Sequence, residues 1–237
     1  MSQKLLHNNN NDSWVDKSSS KKVNLGCGPR WKEDWINIDH SWNARIRRNP
    51  MARRILPAGN TYNWPQNLIV RDLRKKLPFV NETVDFVFAS HVIEHLKEYE
   101  CKGLLKESYR VLRKGGILRV VTPDLEILAV KYLQRDQKFY IGDNAWERTE
   151  KDTFADRFLT AFYERTIKKQ ILRERIRHNL FSDTYHQWLY DFESLSIILQ
   201  EIGFQTINRC TFGQGRTPDA KFIDNPDPMS MYIEAQK

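Results

Sequence analysis

Val23-Asn24-Leu25-Gly26-Cys27-Gly28-Pro29-Arg30, followed by Trp35-Ile36-Asn37-Ile38-Asp39, is the stretch that decides the fold. It reads as a short apolar strand, a glycine turn, a second short strand and an acid where that strand ends. Glycine has no Cβ, so at Gly26 and Gly28 the backbone can turn sharply and a ligand can approach it closely. A carboxylate at the end of the second strand can accept hydrogen bonds from a ribose diol. These features predict a nucleoside-containing cofactor over the first strand of an open α/β sheet. A dinucleotide fold requires a third glycine, a long helix holding the pyrophosphate, and the acid about 20 residues further on. Here the third glycine is missing, Pro29 and Lys32 stand where the helix would begin, and Asp39 follows too soon. The crossover is expected to be a loop or a single turn, which deprives a pyrophosphate of its helix N-terminus.

Further motifs follow in order. Arg71-Asp72-Leu73 ends an apolar run from Leu68, and Val84 to His91 reads as a strand with the loop at its end. Glu107 to Leu118 reads as a helix, a glycine turn around Gly115-Gly116 and another strand. Phe192 to Ile202 is an amphipathic helix stopped by Gly203; strands around Thr206–Cys210 and Met231–Ala235 close the chain. In this order, with Leu25-Gly26-Cys27-Gly28, the motifs resemble class I S-adenosylmethionine (SAM) methyltransferases over most of residues 21–237. Ser90-His91-Val92-Ile93-Glu94-His95-Leu96, Thr122-Pro123-Asp124-Leu125-Glu126 and His186-Gln187-Trp188-Leu189-Tyr190-Asp191 narrow the likeness. They resemble a bacterial group of type 11-like methyltransferases associated with surface-polysaccharide biosynthesis.

The resemblance implies a Rossmann-like α/β sheet, mostly parallel with an antiparallel last strand. It implies SAM as cofactor, held by Asn24, Gly26, Cys27, Gly28, Asp39, Asp72, Leu73 and Ser90. The Asp72 carboxylate would take the adenine amino group while the Leu73 amide meets the ring. Asn24 stands where many members carry an acid for the methionine amino group, and Arg30 adds a positive charge at that end.

Methyl transfer from a sulfonium needs alignment of nucleophile, methyl and sulfur, and sometimes removal of a proton. Candidate catalytic residues are His91, His186 and Tyr190. Histidine titrates near neutrality, so His186 could deprotonate a hydroxyl that Tyr190 orients. The competing reading makes His186, Trp188 and Tyr190 an extended, half-buried anchor. His91, Glu94 and His95 match a zinc-protease spacing in isolation, but the preceding methyltransferase-like strand argues against a peptidase. No metal is assigned to them. His91 stands where magnesium-using ubiquinone-pathway methyltransferases carry an acid, and magnesium prefers oxygen. Structural bracing of the following helix by Glu94 and His95 competes with a cofactor or catalytic role for His91.

The 237 residues suffice for one domain, and 40% hydrophobic residues suit a globular protein. Residues 1–20, rich in Asn, Ser and Lys, are expected to be a disordered tail. The domain is expected over 21–237, with insertions at about 40–67 and 125–185. The first would wall the adenosine end or dock a neighbour. The second repeats apolar residues at helical spacing, with Asp152 or Thr153 as a helix cap. It reads as a helical lid over the acceptor, or as a homodimer interface. Asp124 is expected to cap the helix that opens it.

Three scattered cysteines form no framework or zinc spacing, and Cys27 has no activating neighbour. No apolar run suits a membrane helix and no leader is legible, so the cytoplasm is the expected location. The net charge of +8 favours an anionic partner. The expected acceptor is polar and small to medium, most plausibly a sugar or glycan-precursor hydroxyl. An RNA or DNA methyltransferase is one alternative. The basic clusters around Arg45–Arg54 and Lys168–Arg177 lack interleaved aromatics, so no specific nucleic acid is expected. A non-catalytic SAM-binding partner of a glycosyltransferase is the other.

Overall fold

A computed structural model describes residues 20–41, 44, 45, 64–136, 153–159 and 186–237. Seven strands form one sheet: β1 (Lys22–Leu25), β2 (Ile36–Asp39), β3 (Ile69–Val70), β4 (Val84–Ser90), β5 (Leu112–Pro123), β6 (Ile207–Cys210) and β7 (Ser230–Gln236). Their order is β3-β2-β1-β4-β5-β7-β6. Pairing is parallel from β3 to β5, and β7 runs antiparallel to both β5 and β6. The expected Rossmann-like sheet with an antiparallel last strand is therefore present.

The β1–β2 crossover contains no helix, as the early Asp39 implied. Chain reversal at β1 means that β1 and β4 meet at the middle of the sheet, where strand order changes direction. In open α/β sheets ligands bind beyond the carboxyl ends of strands at such a switch point. The glycine turn expected before β5 is instead a bulge within that strand. Pairing jumps from Val84–Leu112 to Phe86–Ile117, and Gly115 has φ +77°.

The main core lies under β1, β4 and β5 and includes Val23, Leu25, Val87, Leu118, Val120 and Ile233. Helix α1 (Glu98–Val111) covers it with Cys101, Leu104, Leu105 and Val111. Helix α2 (Leu125–Leu133) starts at Asp124, whose carboxylate accepts from Glu126 N at 2.9 Å, so the expected cap is present. Helix α3 (Phe154–Leu159) packs on α2 through Phe158 and Tyr132, ring centroids 5.0 Å apart. Thr153 caps it, its hydroxyl accepting from Asp156 N at 3.1 Å. A short helix α5 (Ala220–Ile223) precedes β7.

Helix α4 (Phe192–Ile202) buries Leu195, Ile198 and Leu199, with Asp191 accepting from Ser194 N at 2.8 Å as its cap. It ends at Gly203, φ +117°. A Cβ there would stand 3.0 Å from Tyr109 Oη, against the side of the ring that packs on Phe204. Gly203→Ala is expected to destabilise the fold by about 1–2 kcal/mol through left-handed strain alone. A urea midpoint equal to the parent's would show that the C-cap absorbs the methyl.

The disordered tail expected over 1–20 lies outside the described residues except for residue 20. Most of both insertions, and of both basic clusters apart from Arg45, also lie outside them. Among the described residues, no helix is long and apolar enough to cross a membrane.

Candidate active site

At the carboxyl end of β1, Gly26 and Gly28 take φ +64° and +49°. A Cβ on Gly26 would drive into Val92, whereas one on Gly28 would find nothing nearer than Gly26 O at 4.0 Å. Gly28 therefore presents open backbone, which suits a ligand lying against the turn. Asp39, at the end of β2, faces this turn: Oδ2 accepts from Gly28 N at 3.0 Å and Oδ1 from Ser41 N at 2.7 Å. A carboxylate offers about four lone-pair positions. Each oxygen so keeps one free to accept a further hydrogen bond.

Asn24 and Cys27 act behind the turn. Asn24 is buried and its amide donates to Arg30 O at 3.0 Å, holding the crossover in place. Cys27 is buried against Ala44 and Trp64. Burial, then the nearby Asp39 charge, pushes its thiol far above the ordinary range, so it is inert as a nucleophile. Arg30 turns away to donate to Asp224 O at 3.2 Å. Asp72 is paired in bidentate fashion with Arg74, Nε–Oδ1 and Nη2–Oδ2 both 2.9 Å. That contact holds its carboxyl at about 2, well below the usual range. An adenine amino group there would share Asp72 with Arg74. Leu73 is buried beside it, and Ser90 is half-buried at the end of β4.

The β4 edge carries a polar chain that sequence spacing did not reveal. His91 has φ +52° and donates its N–H to Val121 O at 2.8 Å, which fixes the ring over the edge of β5. Nε2 lies 3.1 Å from Ser230 Oγ, and that hydroxyl donates to Asp227 Oδ2 at 3.3 Å. Nδ1 lies 3.0 Å from Glu94 Oε1. This contact is an ion pair in distance, but the ring N–H does not point along it, so Oε1 has no in-line hydrogen-bond donor. Glu94 Oε2 accepts from Thr122 Oγ1 at 3.3 Å. Burial alone would push the imidazole down, but the close contact and charge of Glu94 raise it above its ordinary value. Burial would likewise raise Glu94; His91 outweighs it and the carboxyl is lowered. Ser230 and Asp227 were missed because antiparallel β7 starts at this edge, far along the chain from His91. An apolar strand pattern gives no sign of its first residue's hydrogen bonds.

His186 and Tyr190 diverge. The His186 ring sits 5.1 Å from that of His95. The segment behind it is pinned by Gln187 N and Trp188 N, which donate to Glu94 O at 2.6 and 3.3 Å. Tyr190 is fully buried in the main core beside Cys101, and burial drives its phenol far above the ordinary range. The orienting role expected of Tyr190 is corrected on this point. An enclosed hydroxyl cannot reach an acceptor, and the residue's backbone instead anchors α2, accepting from Leu125 N at 2.9 Å.

Part of this geometry is shared with known proteins. Residues 24–120 match the family model described as a methyltransferase domain. An uncharacterised protein of Saccharomyces cerevisiae, YBR225W, is 37% identical over 60 residues, which span 25% of this chain and 7% of that protein. A possible histamine N-methyltransferase from Thermotoga maritima is 16% identical, with a TM-score of 0.45 over 92% of this chain and 83% of its own. A SAM-dependent methyltransferase from Archaeoglobus fulgidus is 14% identical, with a TM-score of 0.44 over 93% and 87%. The matched domain runs from the β1 turn through most of β5 and so contains the whole switch point. Residues 24–120 are thus similar to a methyltransferase domain.

Proposed function

We propose that the protein transfers the methyl group of SAM to a hydroxyl of a polar, small to medium acceptor of the sugar or glycan-precursor class. The observation that carries this reading is the His91–Ser230–Asp227 chain beside the glycine turn. An alcohol is a weak nucleophile and gains from losing its proton as it attacks. When bound, SAM supplies an activated methyl with a good leaving group. Gly26, Gly28 and Asp39 hold the ribose end, and Asp72 with the Leu73 amide meets the adenine. His91 is the proton acceptor at Nε2, in the tautomer that carries its proton at Nδ1 toward Glu94 and in which Ser230 Oγ turns its proton from Asp227 to Nε2. His186 is not assigned that part, because its ring turns toward His95 rather than into the Ser230 chain. The charge of +8 supports an acceptor that carries phosphate or carboxylate groups.

The test uses SAM with a labelled methyl group, offered against carbohydrate-containing small-molecule fractions and against total RNA in parallel. Label in a small polar product supports the reading; label confined to RNA replaces it with the nucleic-acid alternative.

The cofactor half is tested separately. Asp39→Ala removes charge-assisted hydrogen bonds of a kind that contribute roughly 1.5–3 kcal/mol. SAM affinity is then expected to fall about tenfold to a hundredfold, measured by calorimetry on protein whose circular dichroism is unchanged. Parent-like affinity in a folded variant would place the diol elsewhere.

A further inference from the structure

We propose that Glu94, His95 and His186 form a binding site for a divalent transition ion of the zinc type. One ligand atom from each of the three lies within 4.8 Å of the other two. The sequence places His91, Glu94 and His95 together; folding substitutes His186, from a segment far along the chain, for His91. His91 commits Nε2 to Ser230 on the other side.

Four observations converge. Glu94 is wholly buried, with Oε1 3.0 Å from His91 Nδ1 but without a hydrogen bond of good geometry. A buried carboxylate keeps several lone-pair positions, so a cation can join the His91 contact. The two imidazoles tilt at 56° to one another, which lets their nitrogens converge on a common point instead of stacking. The backbone of the second ligand segment is fixed to the first, because Gln187 N and Trp188 N both bond Glu94 O. Thr122 holds the other carboxylate oxygen, the kind of outer contact that orients a metal ligand.

Two imidazoles and one carboxylate suit zinc and its neighbours better than magnesium, which prefers an all-oxygen shell. Tetrahedral bonds of about 2.0–2.1 Å put ligand atoms roughly 3.4 Å apart, so the side chains must close by the order of 1 Å. His95 and His186 are only half-buried, and binding would exchange contacts that each ring now makes for the ion. The fourth position would be left to water or to an acceptor oxygen. A bound ion would also tie the turn Ile93–His95 to the approach to α4.

The experiment strips the full chain of metal and titrates it with Zn²⁺ against a chelating dye, with metal analysis after dialysis. One equivalent is expected. His186→Ala and His95→Ala should each weaken binding at least tenfold, with circular dichroism unchanged. His91→Ala should bind within about threefold of the parent. The parent protein loaded with Co²⁺ should show the intense visible bands of a four- or five-coordinate site, which requires no variant to fold. Substoichiometric zinc in the parent, or equal affinity in folded His186→Ala, overturns the site. Neither result touches the SAM reading, which is measured by cofactor affinity in the Asp39 variant.

Discussion

Replacing His91 by alanine is expected to lower turnover by about 10²–10⁴-fold, the usual contribution of a positioned acid–base group. SAM affinity is expected to stay within about threefold, since a proton acceptor acts in the transfer step and not in cofactor binding. The size follows from how the ring is held. Its backbone N–H is tied to β5, one ring nitrogen faces Ser230 and the other faces buried Glu94. Ser230→Ala should reproduce part of the loss, because it removes the hydroxyl through which the proton can pass. Single-turnover assays with the acceptor found in the labelling experiment separate transfer from binding. If His91→Ala instead weakens SAM binding and leaves the transfer step intact, the residue belongs to the cofactor pocket.

Arg119→Ala is expected to cost about 3–5 kcal/mol, the usual penalty for removing one partner of a buried ion pair. The guanidinium is inaccessible to solvent and each of its N–H groups is used. Nε and Nη2 bond Asp224 at 2.8 and 2.6 Å, Nη1 bonds Glu234 at 3.1 Å, and Gln214 O and Thr211 O take the rest at 2.8 and 3.3 Å. Burial on its own would weaken the charged form, but the bond and charge of Asp224 raise the guanidinium further still. Alanine would leave two buried carboxylates facing each other across a hole. Against a total stability of about 5–15 kcal/mol for a domain, such a loss leaves little in reserve. Urea unfolding followed by intrinsic fluorescence measures it, and a loss below about 1 kcal/mol would show that the loop rearranges to rehydrate the acids. The damage should spread to the cofactor turn. Arg30 leans on Asp224 O at one end of α5, and Lys32 and Trp35 of the crossover bond Asp219 at its other end.

The sheet was legible because its signals are local. Gly26 and Gly28 with an early Asp39 predict a helix-free crossover, and that is how the chain runs. Phe192 to Ile202 carries its own stripe and stop, and the helix has those bounds. The bulge in β5 was not legible, because a glycine pair reads equally well as a turn or as an irregular strand. The Arg119 network was hidden for a different reason. One arginine in an apolar strand looks like a solvent-facing position, and its partners stand 105 and 115 residues away in sequence. The same holds for the candidate site. Asp39 could be read from its strand end, whereas Ser230 meets His91 only because the last strand is antiparallel. Tyr190 was misplaced because an alternating His-x-Trp-x-Tyr pattern assumes one regular extended face. Here the alternation breaks: Trp188 is exposed, while Leu189 and Tyr190 are both buried.

Because β7 enters the sheet from the edge where the ligand site lies, Ser230 and Asp227 reach His91 only after nearly all of the rest of the domain has been made. A chain ending at β5 already contains the glycine turn, Asp39 and His91, but its imidazole has no hydroxyl to face. On the proposed role of His91, transfer therefore waits on the antiparallel β5–β7 pairing, a long-range contact made last.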